Sequence, residues 1–147
     1  MDQETGFSSW YAMVEPRLRA ALVARYGPER GRDAAAAALA WAWEHRDRLV
    51  TIENPVGYLF RVGQSKARRR RQGWLPAALV DDVTTVEPAL GGAIAALPTC
   101  QRTIVVLVHG YGWSLAEVAE LLDIAKSTVQ THLERGIARL RGHMGVE

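Results

Sequence analysis

A chain of 147 residues with 48% apolar side chains can fill the core of one ordinary domain or two small ones, since domains of about 50 to 200 residues are usual. No apolar run approaches the roughly 20 residues of a membrane span, the start MDQETGFSSW is acidic and polar where a secretory leader is basic and then apolar, and Cys100 is the only cysteine. An internal disulfide is thereby excluded, and the expectation is a soluble cytoplasmic protein with no membrane partner and Cys100 as a small buried thiol.

In chain order, Phe7, Tyr11, Val14, Leu18 and Leu22 recur at three- and four-residue spacing up to Gly27-Pro28 and predict a first helix with one apolar stripe. Asp33 is the expected N-cap of a second, AAAAALAWAWEHRDRL, in which alanine gives helix propensity and Leu39, Trp41 and Trp43 give bulk. Trp41 and Trp43, two residues apart, face different ways, so one is expected in the core and the other partly free. Alanines 34 to 38 are expected to present a smooth surface that a partner can approach closely. Asn54-Pro55 reads as an N-cap followed by proline at the first helical position, opening a third helix with Val56, Leu59, Phe60 and Gly63 turned inward. That helix runs into KARRRR, five cations in six residues from Lys66 to Arg71.

The net charge of +2 conceals how uneven the spread is. Residues 1–72 hold 13 Lys and Arg against 8 Asp and Glu, residues 73–100 none against 3, and residues 101–147 hold 5 of each. One or two cations at a helix C-terminus complement its dipole; five point instead to nucleic-acid phosphate. The cation-free stretch from Gly73 to Gly92, with its prolines and glycines, shows no sustained period and reads mostly as a flexible linker, with Trp74 and Leu75 docking back. Residues 1–72, 73–91 and 92–147 are therefore the expected N-terminal domain, linker and C-terminal domain.

Beyond the linker, TIVVLV (Thr103 to Val108) has the composition of a buried strand. A lone strand cannot satisfy its backbone groups, so a helix from near Pro98 to His109-Gly110 is expected. In AEVAELLDIAKSTVQTHLERGIARLR (116–141) the inner face of one helix is Leu115, Val118, Ala119, Leu121 and Leu122, and that of the next is Val129, Leu133, Ile137 and Leu140. The spacing of Ala119, Asp123 and Val129 is that of a helix-turn-helix. Asp123 stands where glycine is usual, and Asp tolerates a left-handed backbone better than most residues. Lys126, Ser127, Thr128, Gln130 and Thr131 would then reach base edges, with Arg135 nearer a phosphate. An ordinary α-hairpin is the alternative reading of this spacing. The fold class expected is all-α, two small helical domains on a flexible linker, the second containing the helix-turn-helix.

Both halves resemble one family, the bacterial sigma factors of the short extracytoplasmic-function (ECF) type. Residues 97–141 look like its C-terminal domain, with a Leu-Pro start, an Arg soon after, Gly-x-Ser before the first motif helix and an Ala-Arg-Leu-Arg end. Residues 22–71 look like its first domain through LVARYG, WEHRDRL, ENPVGYLFRV and the basic cluster. The resemblance implies a transcription initiation factor, a non-enzymatic subunit of core RNA polymerase that reads the minus-thirty-five element of promoter DNA with its C-terminal domain and opens and reads the minus-ten element with its first. It places Asp33, Ala37, Trp41 and Glu44 on polymerase, and Arg61, Lys66, Arg68, Arg69, Arg70 and Arg71 on DNA. An anti-sigma factor or an auxiliary subunit is a further implied partner. The segment from Asp47 to Asn54 and the helix after it are where a pocket for an unstacked base is expected. The family's second helix carries acidic and amide side chains where this chain has AAAAALA, so a sigma-derived regulator that binds DNA without polymerase is the other reading. An enzyme is not expected: His45, His109 and His132 lack metal-ligand spacing, and neither a phosphate-binding glycine loop nor a Ser/His/Asp arrangement is present. No cofactor, metal or catalytic residue is expected.

Overall fold

In a computed structural model the backbone is described for residues 3–67 and 88–145, and the regular elements among those residues are all helices. The described elements are α1 (Gln3–Tyr26), α2 (Pro28–Glu44), the single turn α3 (Arg46–Leu49), α4 (Pro55–Ala67), α5 (Pro88–Ala95), α6 (Thr99–Val105), α7 (Leu115–Leu122) and α8 (Lys126–His143). The basic residues Arg68 to Arg71 and the docking expected of Trp74 and Leu75 lie outside the described residues. α5 begins inside the segment expected as linker.

α1 and α2 form a tight hairpin. Gly27 turns the chain at φ 88°, a left-handed value that costs glycine little, and Pro28 opens α2 directly behind it. Asp33 is therefore not an N-cap: it lies in the second turn of α2, because the Gly-Pro pair breaks the helix first. At Gly31 a Cβ would fall 2.5 Å from the Cα of Val23, so the two backbones touch and only glycine fits. The same closeness explains the alanines. Ala34, Ala35, Ala38 and Ala42 are buried in one core with Ala20, Ala21 and Ala24 of α1, where small side chains let two helices approach. The smooth outer surface expected of residues 34–38 is thus corrected, since only Ala36 is exposed and Ala37 half-buried. α4 crosses the hairpin through Leu59, Phe60, Gly63 and Ala67, all buried. A Cβ on Gly63 would meet Leu22 at 2.7 Å.

TIVVLV is helical, as backbone pairing requires. α6 continues through a turn of π-helix at Val106–Gly110, in which the Tyr111 N–H reaches the Val106 carbonyl at 3.1 Å. The run is apolar all round because it is covered all round: α6 packs on α1 and on α8, and Thr103 to Leu107 are buried. α8 comes close at Gly136, where a Cβ would lie 2.8 Å from a Val105 methyl carbon.

The two groups of helices are docked on each other. A continuous core runs from Leu18, Leu22 and Phe60 to Ile104, Leu107, Trp113, Val118 and Val129, while Ala93, Leu97, Val105 and Leu140 form a second, smaller one under α5. The seam is polar at its edges. Arg17 of α1 pairs with Glu117 of α7 at 2.6 Å and lies over the Trp113 ring at 4.5 Å. Arg102 of α6 donates to the carbonyl of Arg25 at 3.1 Å; burial, and then the nearby Arg25 charge, lower its pKa from the usual value.

Candidate nucleic-acid interface

The helix-turn-helix is built by local chemistry at each junction. Ser114 caps α7 by accepting from the Glu117 N–H at 3.0 Å while the Glu117 carboxylate accepts from the Ser114 N–H at 3.1 Å, a reciprocal box that satisfies two helix-end donors. The Ser114 N–H, followed by the Arg17 guanidinium, holds the Glu117 carboxyl below the ordinary carboxylate range. Asp123 ends α7 in the left-handed region at φ 55°, ψ 49°, as expected of the residue standing in place of glycine. The Ile124 N–H then closes on the Ala119 carbonyl at 3.1 Å. Ala125 precedes α8 in extended conformation and offers no side-chain cap.

Val118, Leu121 and Val129 lock α7 to α8 from inside. That leaves Lys126, Ser127, Thr128, Gln130, Thr131 and Arg135 exposed together on the outer surface of α8. Two of them are oriented by their own helix. Gln130 donates through Nε2 to Glu134 Oε1 at 3.3 Å, and the Thr131 hydroxyl donates to the Ser127 carbonyl at 3.0 Å.

In the first group of helices, Arg61 and Lys66 are exposed on α4, while Arg68, Arg69, Arg70 and Arg71 lie outside the described residues. The start of α4 is capped as the sequence suggests, with the Gly57 N–H donating to Asn54 Oδ1 at 3.1 Å. Beside it lies a cavity of about 650 Å³ whose apolar wall is Phe7, Trp10, Leu49, Val50, Ile52 and Pro55. Arg46, Asp47 and Glu53 give its lining a polar part. The loop side of this cavity falls on the expected segment from Asp47 to Asn54. Phe7, on α1, was expected only as part of that helix's core stripe, and Trp10 was not singled out; both line the cavity. Phe7 stands edge-on to Trp43 at 4.9 Å, and Arg46 covers the other ring contact of Trp43 at 4.2 Å.

The residues proposed for polymerase lie along the outward side of α2. Asp33 and Glu44 are exposed and Ala37 and Trp41 half-buried. The two tryptophans divide as their spacing predicts: Trp41 is partly buried against the core, stacking on His45 at 4.1 Å and leaning on Tyr58 at 5.6 Å, while Trp43 is 41% exposed.

Comparison with known proteins places this geometry. Residues 89–140 match the family described as sigma-70, region 4. Two curated relatives, the ECF RNA polymerase sigma factor SigM of the Erdman and H37Rv strains of Mycobacterium tuberculosis, are 36% identical over 87 residues, covering 53% of this chain and 44% of each relative. The chain thus spans less than half the length of the curated relatives it matches. The sigma factor RpoE of Bartonella quintana, solved with the anti-sigma factor NepR, shares the fold at a TM-score of 0.63 and 21% identity, covering 97% of this chain and 98% of that one. Residues 89–140, which contain the helix-turn-helix, are thus similar to sigma-70 region 4, about half of the chain is similar to curated ECF sigma factors, and the fold is that of a solved sigma factor.

Proposed function

We propose that this protein is a transcription initiation factor that binds core RNA polymerase in the cytoplasm and directs it to promoters, without itself being an enzyme. The observation that carries the reading is the helix-turn-helix within the region 4 match, whose six polar candidates share one uncovered surface of α8. α8 reads the minus-thirty-five element there, with Lys126, Ser127, Thr128, Gln130 and Thr131 toward base edges and Arg135 toward phosphate. Arg61, Lys66 and Arg68 to Arg71 hold the backbone of the minus-ten element, and the cavity between α1 and the loop before α4 receives an unstacked base. Its aromatic and apolar walls suit that role, because base stacking on aromatic rings is worth about 1–3 kcal/mol per base. Residues 1–72 and 92–147 act as two modest readers whose joint affinity comes from effective concentration once polymerase holds both. A regulatory partner such as an anti-sigma factor fits the same reading, since the solved relative carries one.

A stand-alone DNA-binding regulator is the second reading, favoured by the outward side of α2, where Ala36, Ala37 and Ala40 offer no charge to a partner. Co-purification with core RNA polymerase followed by promoter-dependent transcription decides between them. Transcription from a defined start supports the first; DNA binding without polymerase capture supports the second.

A further inference from the structure

The two hydrogen bonds on the outer surface of α8 constrain what it can read. The Glu134 carboxylate only accepts hydrogen bonds, so the end of the Gln130 amide that faces it at 3.3 Å must be the NH₂, whichever way an amide is drawn. Oε1 is therefore the end turned away from Glu134. One residue on, the single hydroxyl proton of Thr131 is committed to the Ser127 carbonyl at 3.0 Å, which leaves Oγ1 with lone pairs outward. Adjacent side chains at the centre of the reading surface thus both present acceptors. In the major groove the base groups that donate are the 6-amino of adenine and the 4-amino of cytosine, whereas guanine and thymine show acceptors at the corresponding edge.

We propose that Gln130 and Thr131 select bases carrying an exocyclic amine, adenine or cytosine on the contacted strand, and that Glu134 sets this preference as a positioning residue by holding the Gln130 amide. The proposal rests on the reading of α8 as the duplex-reading helix. Arg135, exposed on the same helix, supplies sequence-independent attraction to phosphate and leaves the choice of base at this point to the neutral pair.

The test uses the full chain, with and without bacterial core RNA polymerase, on a pool of randomised duplexes. One position is expected at which adenine or cytosine exceeds guanine and thymine by about tenfold, the scale of a good base contact. Deleting only the amine, with purine for adenine in one arm and 2-pyrimidinone for cytosine in the other, identifies which base is read and abolishes the preference. Gln130→Ala should bind natural and amine-deleted duplexes alike. Glu134→Gln, whose amide can donate to Oε1 as well as accept, frees the orientation and should reduce the preference several-fold at that position only, with the helix content and melting of the chain unchanged. A preference at the Gln130-dependent position that survives deletion of the amine from whichever strand carries it overturns the proposal alone, as does an undiminished preference in Glu134→Gln. A pool with no preferred duplex in either arm overturns the duplex-reading assignment of α8 along with it.

Discussion

Glu117 belongs at once to a helix cap and to a contact between the two halves, and its ionisation state matters to both. Its folded pKa is depressed by the Ser114 N–H and by Arg17, so the stabilisation is present above the unfolded value of about 4.3 and lost as pH falls through the lower folded value. Wild type is therefore expected to lose more stability than Glu117→Gln on going from pH 5 to about pH 3, because glutamine also closes a capping box but does not titrate. Urea midpoints of both proteins across that range check it; parallel curves would remove Glu117 from the account. The left-handed Asp123 and the Asn54 cap were legible in the sequence. The second role of Glu117 was not, because a partner 100 residues away leaves no periodicity to detect.

Helices were recovered well where one face is apolar and less well where packing is unusual. α2 looked like a partner surface because alanine carries no sign of which side is inside; the deciding residue is Gly31, which brings α1 within backbone contact and turns Ala34, Ala35 and Ala38 into core. Ala35, 3% exposed, should accept glutamate only at a cost of several kcal/mol, the order expected for an unpaired polar group in an apolar interior. Ala36→Asp, one residue on and exposed, should melt within a few degrees of wild type. Thermal melts of the two single variants make the comparison, and equal melting points would contradict the packing. At α4 the prediction is electrostatic. Replacing Arg61 and Lys66 with Gln should weaken promoter opening on every sequence and flatten the dependence of log affinity on log salt by roughly one unit per lost phosphate contact. An unaltered slope would return these cations to the role of helix-end charges.

At the scale of the whole molecule, the two groups of helices expected as separate domains share one continuous core. Neither hydrophobic periodicity nor charge count could indicate this, because Leu18, Leu22 and Phe60 read as the core of their own half although they share one cluster with Ile104, Leu107 and Trp113 of the other, and because the seam is edged by single polar side chains. Arg17 is the most exposed of them and bridges Glu117 and Trp113. Arg17→Ala should loosen the seam while leaving each core intact, so small-angle scattering should give a larger radius of gyration at unchanged helix content. An exposed, solvent-screened pair contributes only modestly on its own, so the shift is expected to be partial, and larger at low salt than at high salt, where the pair is already screened in wild type. An identical scattering profile would mean that the apolar contacts of α1 with α6 hold the halves without it.

Asn54 gives this docking a direction of influence. Its Oδ1 caps α4 through the Gly57 N–H, and its Nδ2 donates to the Glu120 carbonyl of α7 at 2.9 Å. Aspartate would cap the helix as well, but having only acceptors it would set a charge against that carbonyl, so the amide serves both halves where the acid serves one. Any strand of DNA that engages the loop at Asn54 with the halves apart must first give up the bond to Glu120. By thermodynamic reciprocity the factor by which that strand favours separation equals the factor by which separation favours the strand. A duplex on α8 that draws α7 away would therefore sensitise the loop before α4 to single-stranded DNA, with the message carried by one carboxamide.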